Sequence, residues 1–419
     1  MTTSTPRICI VGGGPAGLTC ARVLQLQGIE VAVYDGDTAV DSRDPGGTLD
    51  LHADTGQIAL ADAGLTEAFL AQARPEGRAM TRTDHQGTVL ARFAPAPGDT
   101  AAPEIDRGRL RRLLHDHVRP GTVRWGHRLV RATPLERGAH RLEFANGAVV
   151  RADLLIGADG AWSTIRPLVT DAAPEYLGVS FLDVRFDDVD TRHPELAGTI
   201  GDGHLFANDN DGRAVILQRN ADRVVRGYLA FRAVRDWHVA AGVDLTDRES
   251  VRAHLAGTFA HWSPSLRAVI ADSDADYVPR SFWALPAPLA WGHVPGVTLI
   301  GDAAHLMAPF GGHGANLAML DGAELALAVG VALARGGSST PGQSSALDEA
   351  VAAHEAEMFA RSAGPATGSN EALAQFFATT SPDAPHLPPD HAQEHHDYLA
   401  RAAARRRERA RRAGGGTDV

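Results

Sequence analysis

A disulfide framework is excluded at once, because the 419 residues contain only two cysteines, Cys9 and Cys20. The first lies in an apolar strand pattern and the second in the helical pattern next to it, so both read as small buried side chains. No targeting segment is expected, since Met1-Thr2-Thr3-Ser4-Thr5 lacks the basic-then-apolar order of a signal peptide. No apolar run approaches the ~20 residues a membrane helix needs. The formal net charge of −11 offers no general attraction to nucleic acid. The run Arg405-Arg406-Arg407-Glu408-Arg409-Ala410-Arg411-Arg412 departs from that balance and reads as a solvated helix end rather than an RNA or membrane contact. No internal repeat is visible. The expectation is a soluble, cytoplasmic protein with no nucleic-acid or membrane partner, monomeric or weakly dimeric.

What is present is an alternation of strand and helix texture. Arg7 to Val11 is a short apolar run, Pro15 to Gln27 has helical spacing with Gly28 as its stop, and Val31 to Tyr34 is a second strand ended by Asp35. This is one βαβ unit. Gln57 to Ala63 looks helical, Thr88 to Phe93 extended, and Gly108 to His117 forms a basic amphipathic helix. Segments 123–130 and 140–150 alternate as strands, and Leu154 to Gly157 is a buried strand. From 171 to 291 the texture becomes short alternating strands such as Val215–Gln218 and Val225–Phe231, an antiparallel sheet suited to covering a cavity. Parallel-sheet texture returns at Val297 to Ile300. A long helix runs from Ala315 to Ala334, then a Gly/Ser-rich link at 336–345 leads to C-terminal helices.

Three motifs carry chemistry. Gly12-Gly13-Gly14-Pro15-Ala16-Gly17 comes after a strand and opens a helix. Its first glycine permits the tight turn, Gly14 lets a pyrophosphate approach the backbone, Gly17 lets helix and strand pack, and the helix N-terminus supplies free N–H groups. Asp35 stands roughly the ~20 residues on that a ribose-binding acid requires. The second motif is Leu155-Ile156-Gly157-Ala158-Asp159-Gly160-Ala161-Trp162-Ser163-Thr164-Ile165-Arg166; its Asp159-Gly160 after a strand, read alone, is equally a simple turn. The third is Gly301-Asp302-Ala303-Ala304-His305, feeding the loop Pro309-Phe310-Gly311-Gly312-His313 and the helix at Gly314-Ala315-Asn316. An acid there can serve as a helix cap, or as a contact to a ligand whose negative charge the helix N-terminus favours. Two ligand signals almost three hundred residues apart imply a cofactor longer than a nicotinamide dinucleotide, and FAD fits.

Together these motifs resemble the class A flavoprotein monooxygenases of the para-hydroxybenzoate hydroxylase-like fold, over nearly the whole chain. Within that family, Gly46-Gly47-Thr48-Leu49-Asp50-Leu51-His52, Glu104-Ile105-Asp106-Arg107 and the Gly301–Met307 segment are most similar to the tetracycline-inactivating monooxygenases. The resemblance implies an α/β fold: a Rossmann-type FAD-binding domain at 1–75, 104–170 and 292–335, an inserted antiparallel-sheet substrate domain at 76–103 and 171–291, and a C-terminal helical segment with its basic tail at 336–419. It further implies that Asp35 holds the adenosine ribose, Arg107 and Asp302 the phosphate–ribityl stretch, and Gly311 to Asn316 the flavin ring, with Arg43 and Asp50 beside the flavin. Asp159 and Gly160 would support FAD and transient NAD(P)H docking. His313 departs from the family's usual glutamine, and Ala308 from its usual proline. The implied reaction uses NADPH or NADH to reduce FAD, with O2 then forming a flavin C4a-hydroperoxide that oxygenates a small polycyclic or aromatic natural product or antibiotic. Hydroxylation is the expected outcome; epoxidation or Baeyer–Villiger insertion are open. Two alternatives stand beside it: a flavin reductase of the same fold, and a non-redox FAD-containing cyclase or binding protein.

Other residues carry weaker signals. Phe206, Phe231, Trp283, Pro309, Phe310, Gly311 and His313 are candidates for the substrate wall, with Phe282 and Trp237 beside them, although alternating aromatics are commonly core. His52 and His305 read as hydrogen-bonded structural histidines. Arg213 and Arg219 read as surface charge, and His391-Ala392-Gln393-Glu394-His395-His396 as a surface helix rather than a metal site. No metal is expected, and no nucleophile–base triad, because the chemistry is borne by the flavin. Family members move the flavin between reducing and oxygenating positions, a movement Gly46, Gly47, Gly311 and Gly312 would suit. Gly47→Pro should therefore slow NAD(P)H-driven flavin reduction in stopped-flow, and unchanged kinetics would remove the loop from that role.

Overall fold

The computed structural model describes residues 6–44, 46–335, 346–379 and 391–414; the 336–345 link lies outside them. At the centre is a five-stranded parallel sheet in the order Val297–Leu299, Leu154–Gly157, Ile8–Val11, Val31–Tyr34, Val123–Arg124. Ile8, Cys9 and Ile10 are buried on both sides of their strand, as a parallel sheet covered on both faces requires. Both cysteines are free and buried. The first helix, Pro15–Leu26, begins with proline at its first turn and packs along the helix His313–Ala334.

A seven-stranded sheet stands apart, ordered Val278–Ala284, Glu175–Phe186, Val225–Arg232, Arg213–Arg219, His204–Asn208, Met80–Asp84, Val89–Phe93. Its pairings are antiparallel except for His204–Asn208 with Met80–Asp84. Alternation along each strand gives it two unlike faces. Leu182, Val184, Leu205, Val215, Leu217, Leu229 and Phe231 face one core. That core is closed by Trp237 and the helices Arg248–Thr258 and Pro264–Ala271, which the sequence pattern did not reveal. Val179, Phe181, Ala214, Ile216, Ala230 and Phe282 face the other side, toward Ala308 and the end of the helix Ala346–Phe376.

The expected single strands at 123–130 and 140–150 are each broken. The second is a hairpin of His140–Phe144 and Val149–Ala152, turned at Asn146-Gly147 with Gly147 at φ +85°. The expectation that no apolar run reaches bilayer length is also corrected. His313–Ala334 has 22 residues and is apolar enough by length and composition to cross a membrane. It is instead the core helix, with Leu320, Ala323, Leu325 and Ala326 fully buried and the first helix and the helix Ala346–Phe376 against it.

The contact between the first and core helices depends on Gly322. A Cβ there would lie 2.4 Å from the carbonyl oxygen of Ala16 and 3.1 Å from the nitrogen of Cys20, both rigid helical backbone. Gly322→Ala should cost about 1–3 kcal/mol by forcing the helices apart. Chemical denaturation would read that loss as an earlier midpoint; an unchanged midpoint would mean the helices separate without strain.

Candidate functional site

The glycine loop divides its labour as its spacing suggests. Gly12 sits at φ +112°, and a Cβ on it would fall 2.0 Å from the carbonyl oxygen of Ala158. A Cβ on Gly17 would fall 2.1 Å from the carbonyl oxygen of Gly12. Gly14, at the helix N-cap, has nothing within 4 Å of the same position. Two glycines are thus demanded by protein packing, while the third opens onto free space where phosphate would meet helix N–H groups. Asp35 closes the loop from the next strand, its Oδ2 accepting from Gly13 N at 2.6 Å and its Oδ1 from Asp37 N at 2.8 Å. Asp159 accepts from Thr164 N at 2.7 Å. Its other oxygen is buried with no partner, and burial pushes its pKa up. An orphaned acceptor beside the phosphate loop fits a ligand that brings its own donor.

The third motif is held from three sides. Gly301 turns at φ +62°, and its N–H donates to Asp321 Oδ2 at 3.1 Å. His305 meets the same oxygen at 2.5 Å, and Arg361 donates to Asp321 Oδ1 at 2.8 Å. Burial opposes charge on both His305 and Asp321, but their attraction prevails: the imidazole is raised, and the carboxyl is held well below the carboxylate range. Arg166, at the end of the second motif, donates to the carbonyls of Ala303 and Asp302 at 2.8 and 3.2 Å. So fixed, the Asp302 carboxylate is exposed and makes no hydrogen bond among the described residues. A Cβ built on Gly314, at the start of the core helix, would lie 4.0 Å from its Oδ1. Arg107 is likewise exposed and without an ion pair among the described residues, beside Gly46. An unpaired acid, an unpaired guanidinium and an open phosphate loop fit FAD stretched from Gly14 to the core-helix N-terminus.

At that N-terminus, Asp50 and Gly312 touch so closely that a Cβ on Gly312 would lie 2.4 Å from Asp50 Oδ1. Asp50 bonds to His52 Nε2 at 2.9 Å. Burial opposes its ionisation, yet His52, with Arg78 and His204, holds the carboxyl well below its ordinary value. Burial lowers the pKa of His313, whose ring meets His52 edge-on at 5.5 Å. Asn316 lies where the sequence expects cofactor contact, but its side chain is fully engaged by protein. It accepts from His52 N and Gly56 N and donates to the carbonyls of Asp50 and Gly312. Only its backbone, with that of Ala315, is left to face a ligand. Arg43 is drawn away to Asp37, at 2.8 Å.

Among the substrate candidates, Phe206 and Phe310 share one wall with Phe376, whose ring lies 6.3 and 5.3 Å from theirs. Pro309 and Gly311 flank Phe310, exposed. Phe231 is corrected: it points to the opposite face of the sheet and packs on Trp237 at 4.9 Å. Trp283 is corrected too. Its neighbour Phe282 packs in the aromatic cluster with Phe181, while Trp283 turns to Trp162 at 5.0 Å, in the second motif. Sequence reasoning missed Arg111, which donates to the carbonyls of Gly13 and Val40, both at 3.1 Å, and pairs with Asp37 at 2.7 Å. In sequence it is one arginine among several on a basic helix. Asp321, Arg361, Tyr228 and Phe376 were missed as well, none of them inside a local motif, while Arg166 ends the second motif without a role having been read for it. No metal-ligating cluster occurs among the described residues.

The FAD binding domain family model matches residues 5–352, and the chain belongs to that family. The monooxygenase asqM of Emericella nidulans is 30% identical over 371 residues, covering 76% of this chain and 83% of its own. Among solved structures, a variant of Klebsiella pneumoniae HpxO complexed with FAD superposes with a TM-score of 0.70 at 21% identity, covering 95% of both chains. Tetracycline destructase Tet(51) superposes with a TM-score of 0.64 at 18% identity, covering 95% of this chain and 97% of its own. The latter two show the shared α/β fold. With the family and its site in place, the chain is an FAD-dependent monooxygenase drawing on NAD(P)H and O2.

Asp302 offers the sharpest check of the site. Asp302→Ala removes a charge-assisted contact and should weaken FAD affinity about tenfold or more. Titration of apoprotein monitored by flavin fluorescence measures it; undiminished affinity would take Asp302 out of the cofactor site.

Proposed function

We propose that the enzyme hydroxylates a polycyclic or aromatic natural product or antibiotic held between the sheet face and the core-helix N-terminus. The observation that carries this reading is the aromatic cluster of Phe206, Phe181, Tyr228, Phe282, Phe310 and Phe376 on one face of the sheet, in which Phe310 belongs to the same loop as Gly312, itself against Asp50. Flat hydrophobic substrates lose most water there and gain offset or edge-on ring contacts. Bound FAD supplies the oxygen chemistry, from electrons donated by NADPH or NADH.

The protein's own part is orientation and dryness. Tyr228 packs on Phe181 at 4.7 Å, and burial raises its phenol pKa, so it stays protonated as a hydrogen-bond donor toward a substrate oxygen. Phe310 and Phe376 exclude water from the reacting edge. The core-helix N-terminus favours negative charge developing beside it. His313, kept neutral near physiological pH by burial, lies at the same loop as a proton acceptor for a phenolic or enolic substrate. This reading includes a cytoplasmic setting and a monomeric or weakly dimeric state, with no nucleic-acid or membrane partner.

A panel of phenolic, enolic and polycyclic compounds, scored by coupled NAD(P)H loss, O2 uptake and product mass, tests the activity. The expected product is heavier by one oxygen atom; nicotinamide oxidation without an oxygenated product across the panel would count against it. Phe376→Ala should divert a larger share of electrons to H2O2 as water enters, and unaltered coupling would show that the wall does not keep the site dry.

A further inference from the structure

One arginine on the aromatic face of the large sheet has no counter-ion. The inter-strand register sets Tyr228, Ile216, Phe206 and Arg82 side by side in a row, because Tyr228 pairs with Ile216, Ile216 with Phe206 and Phe206 with Arg82. Residues paired in this way point to the same face of a sheet. Tyr228, Ile216 and Phe206 belong to the aromatic cluster on that face. The residues flanking Arg82, Thr81 and Thr83, pair instead with Leu205 and Ala207 of the opposite core. Arg82 therefore stands beside Phe206, one strand spacing of about 4.8 Å away.

Arg82 is half-buried, yet its side chain makes no hydrogen bond and no ion pair among the described residues. Burial lowers its pKa, and no carboxylate acts to restore it. Other half-buried arginines of this sheet are matched: Arg213 holds Asp209 and Asp211, Arg219 holds Asp190, and Arg226 holds Asp44. The acid nearest along the strand, Asp84, is spent on its own turn, its Oδ1 accepting from Gln86 N at 2.9 Å and from Thr88 N at 2.8 Å. On the edge side Arg82 pairs with Ala91, which has no polar side chain. A guanidinium taken partly out of water without an anion costs free energy, and no contact in the fold repays that cost.

The cofactor's phosphates are poorly placed to be the missing anion. The loop at Gly46-Gly47 meets this sheet at Gln218, whose Oε1 would collide with a Cβ on Gly47. Gln218 pairs with His204, so it lies two strands from Arg82 and one row away. We infer that Arg82 anchors an ionised acid group of the substrate, so that the compound oxygenated here is an aromatic ring system carrying a carboxylate or an ionised enol. Both present planar anionic oxygen, which a guanidinium reads through paired N–H donors. The rings would lie along Phe206, Ile216 and Tyr228. Apolar contact is non-directional and leaves such rings free to slide; one ion pair at the end of the row fixes their position. This inference rests on the hydroxylation reading in taking the ligand of this face to be the substrate.

The test uses the FAD-loaded enzyme and two matched pairs of probes, titrated by equilibrium dialysis. One pair is 1-hydroxy-2-naphthoate and its amide; the other is 2-hydroxy-1,4-naphthoquinone, an acidic enol, and its methyl ether. Wild-type enzyme should bind at least one acid about tenfold or more tighter than its neutral partner, and the pair that shows the preference tells carboxylate from enolate. Arg82→Met should abolish that preference while leaving the neutral partner's affinity unchanged, and Arg82→Lys should recover part of it. The Arg82→Met protein should melt no lower than wild type, because it loses a charge that no protein group pairs. No acid preference in the wild type, or a preference that survives in Arg82→Met, overturns the inference. So does a lower flavin-to-protein absorbance ratio in that variant, which would give Arg82 to the cofactor, or a lower melting temperature, which would give it to the fold. An acid preference carried by Arg82 without any oxygenated product would leave the anchor standing and defeat the hydroxylation reading. Oxygenation of the neutral partners as readily as of the acids would defeat the anchor alone.

Discussion

The whole arrangement depends on a steric constraint between two backbones. The Gly12 turn lies against the carbonyl of Ala158 at a distance no side chain allows, and Gly17 lies equally close to Gly12. This contact joins the first strand-to-helix crossing to the second motif, one strand over in the same parallel sheet. It leaves the helix N-terminus with unbonded N–H groups facing open space at Gly14. Phosphate affinity here is thus a consequence of packing, since glycine is the only residue that lets the elements close and still leaves room for a ligand.

The ring end of the site is fixed by buried charge instead. Asp321 is fully buried and is satisfied by a backbone N–H, an imidazole and a guanidinium. Burying such a carboxylate is costly unless every lone pair is used, and the loss of one partner would leave the rest stranded. That all-or-none character suits a turn whose acid must stay exposed and aimed. The two titrations have opposite signs. Asp321 stabilises the fold above the ordinary carboxylate range and loses that contribution as pH falls through its lowered pKa, while His305, raised, loses its contribution as pH climbs through its own. The network is therefore most complete between those limits.

This contrast decides how much of the site was legible in the sequence. Gly12, Gly14, Gly17, Asp35, Gly301 and Asp302 act through backbone shape and local spacing, and a linear motif records both. The families of strands around them were readable for the same reason, because burial imposes periodicity on contiguous residues. Arg111, Asp321 and Arg361 act across more than one element, and each sits in a helix whose local pattern explains it without reference to a site; Arg166 ends the second motif, but its contacts to the third motif are not local. The errors at Phe231 and Trp283 have a different cause. In a sheet with cores on both faces, neighbouring positions are both apolar, so alternation no longer says which face holds the cavity. Phe282 and Trp283 differ by one residue and end on opposite sides. The long core helix misled in its own way: its charged residues, Asp321 and Glu324, hid a nearly continuous apolar helix, though they are the ones that anchor it to Arg361.

The family match ends at residue 352, yet the site draws heavily on the C-terminal helices beyond that point. Arg361 completes the Asp321 network, and Phe376 and Phe377 close the aromatic wall against Phe310. Farther on, the helix His391–Gly414 returns to the turn after the strand Thr48–Asp50: Tyr398 stacks on His52 at 4.2 Å, and Arg401 pairs with Asp54 at 2.6 Å. His52 in turn holds Asp50 against Gly312. The matched part of the chain thus supplies the glycine loop, while the C-terminal helices complete the Asp321 network, brace the Asp50–Gly312 contact through His52, and close the aromatic cluster around Phe310. A change in those helices therefore reaches the third motif and the aromatic cluster without touching the packing at Gly12 and Gly17.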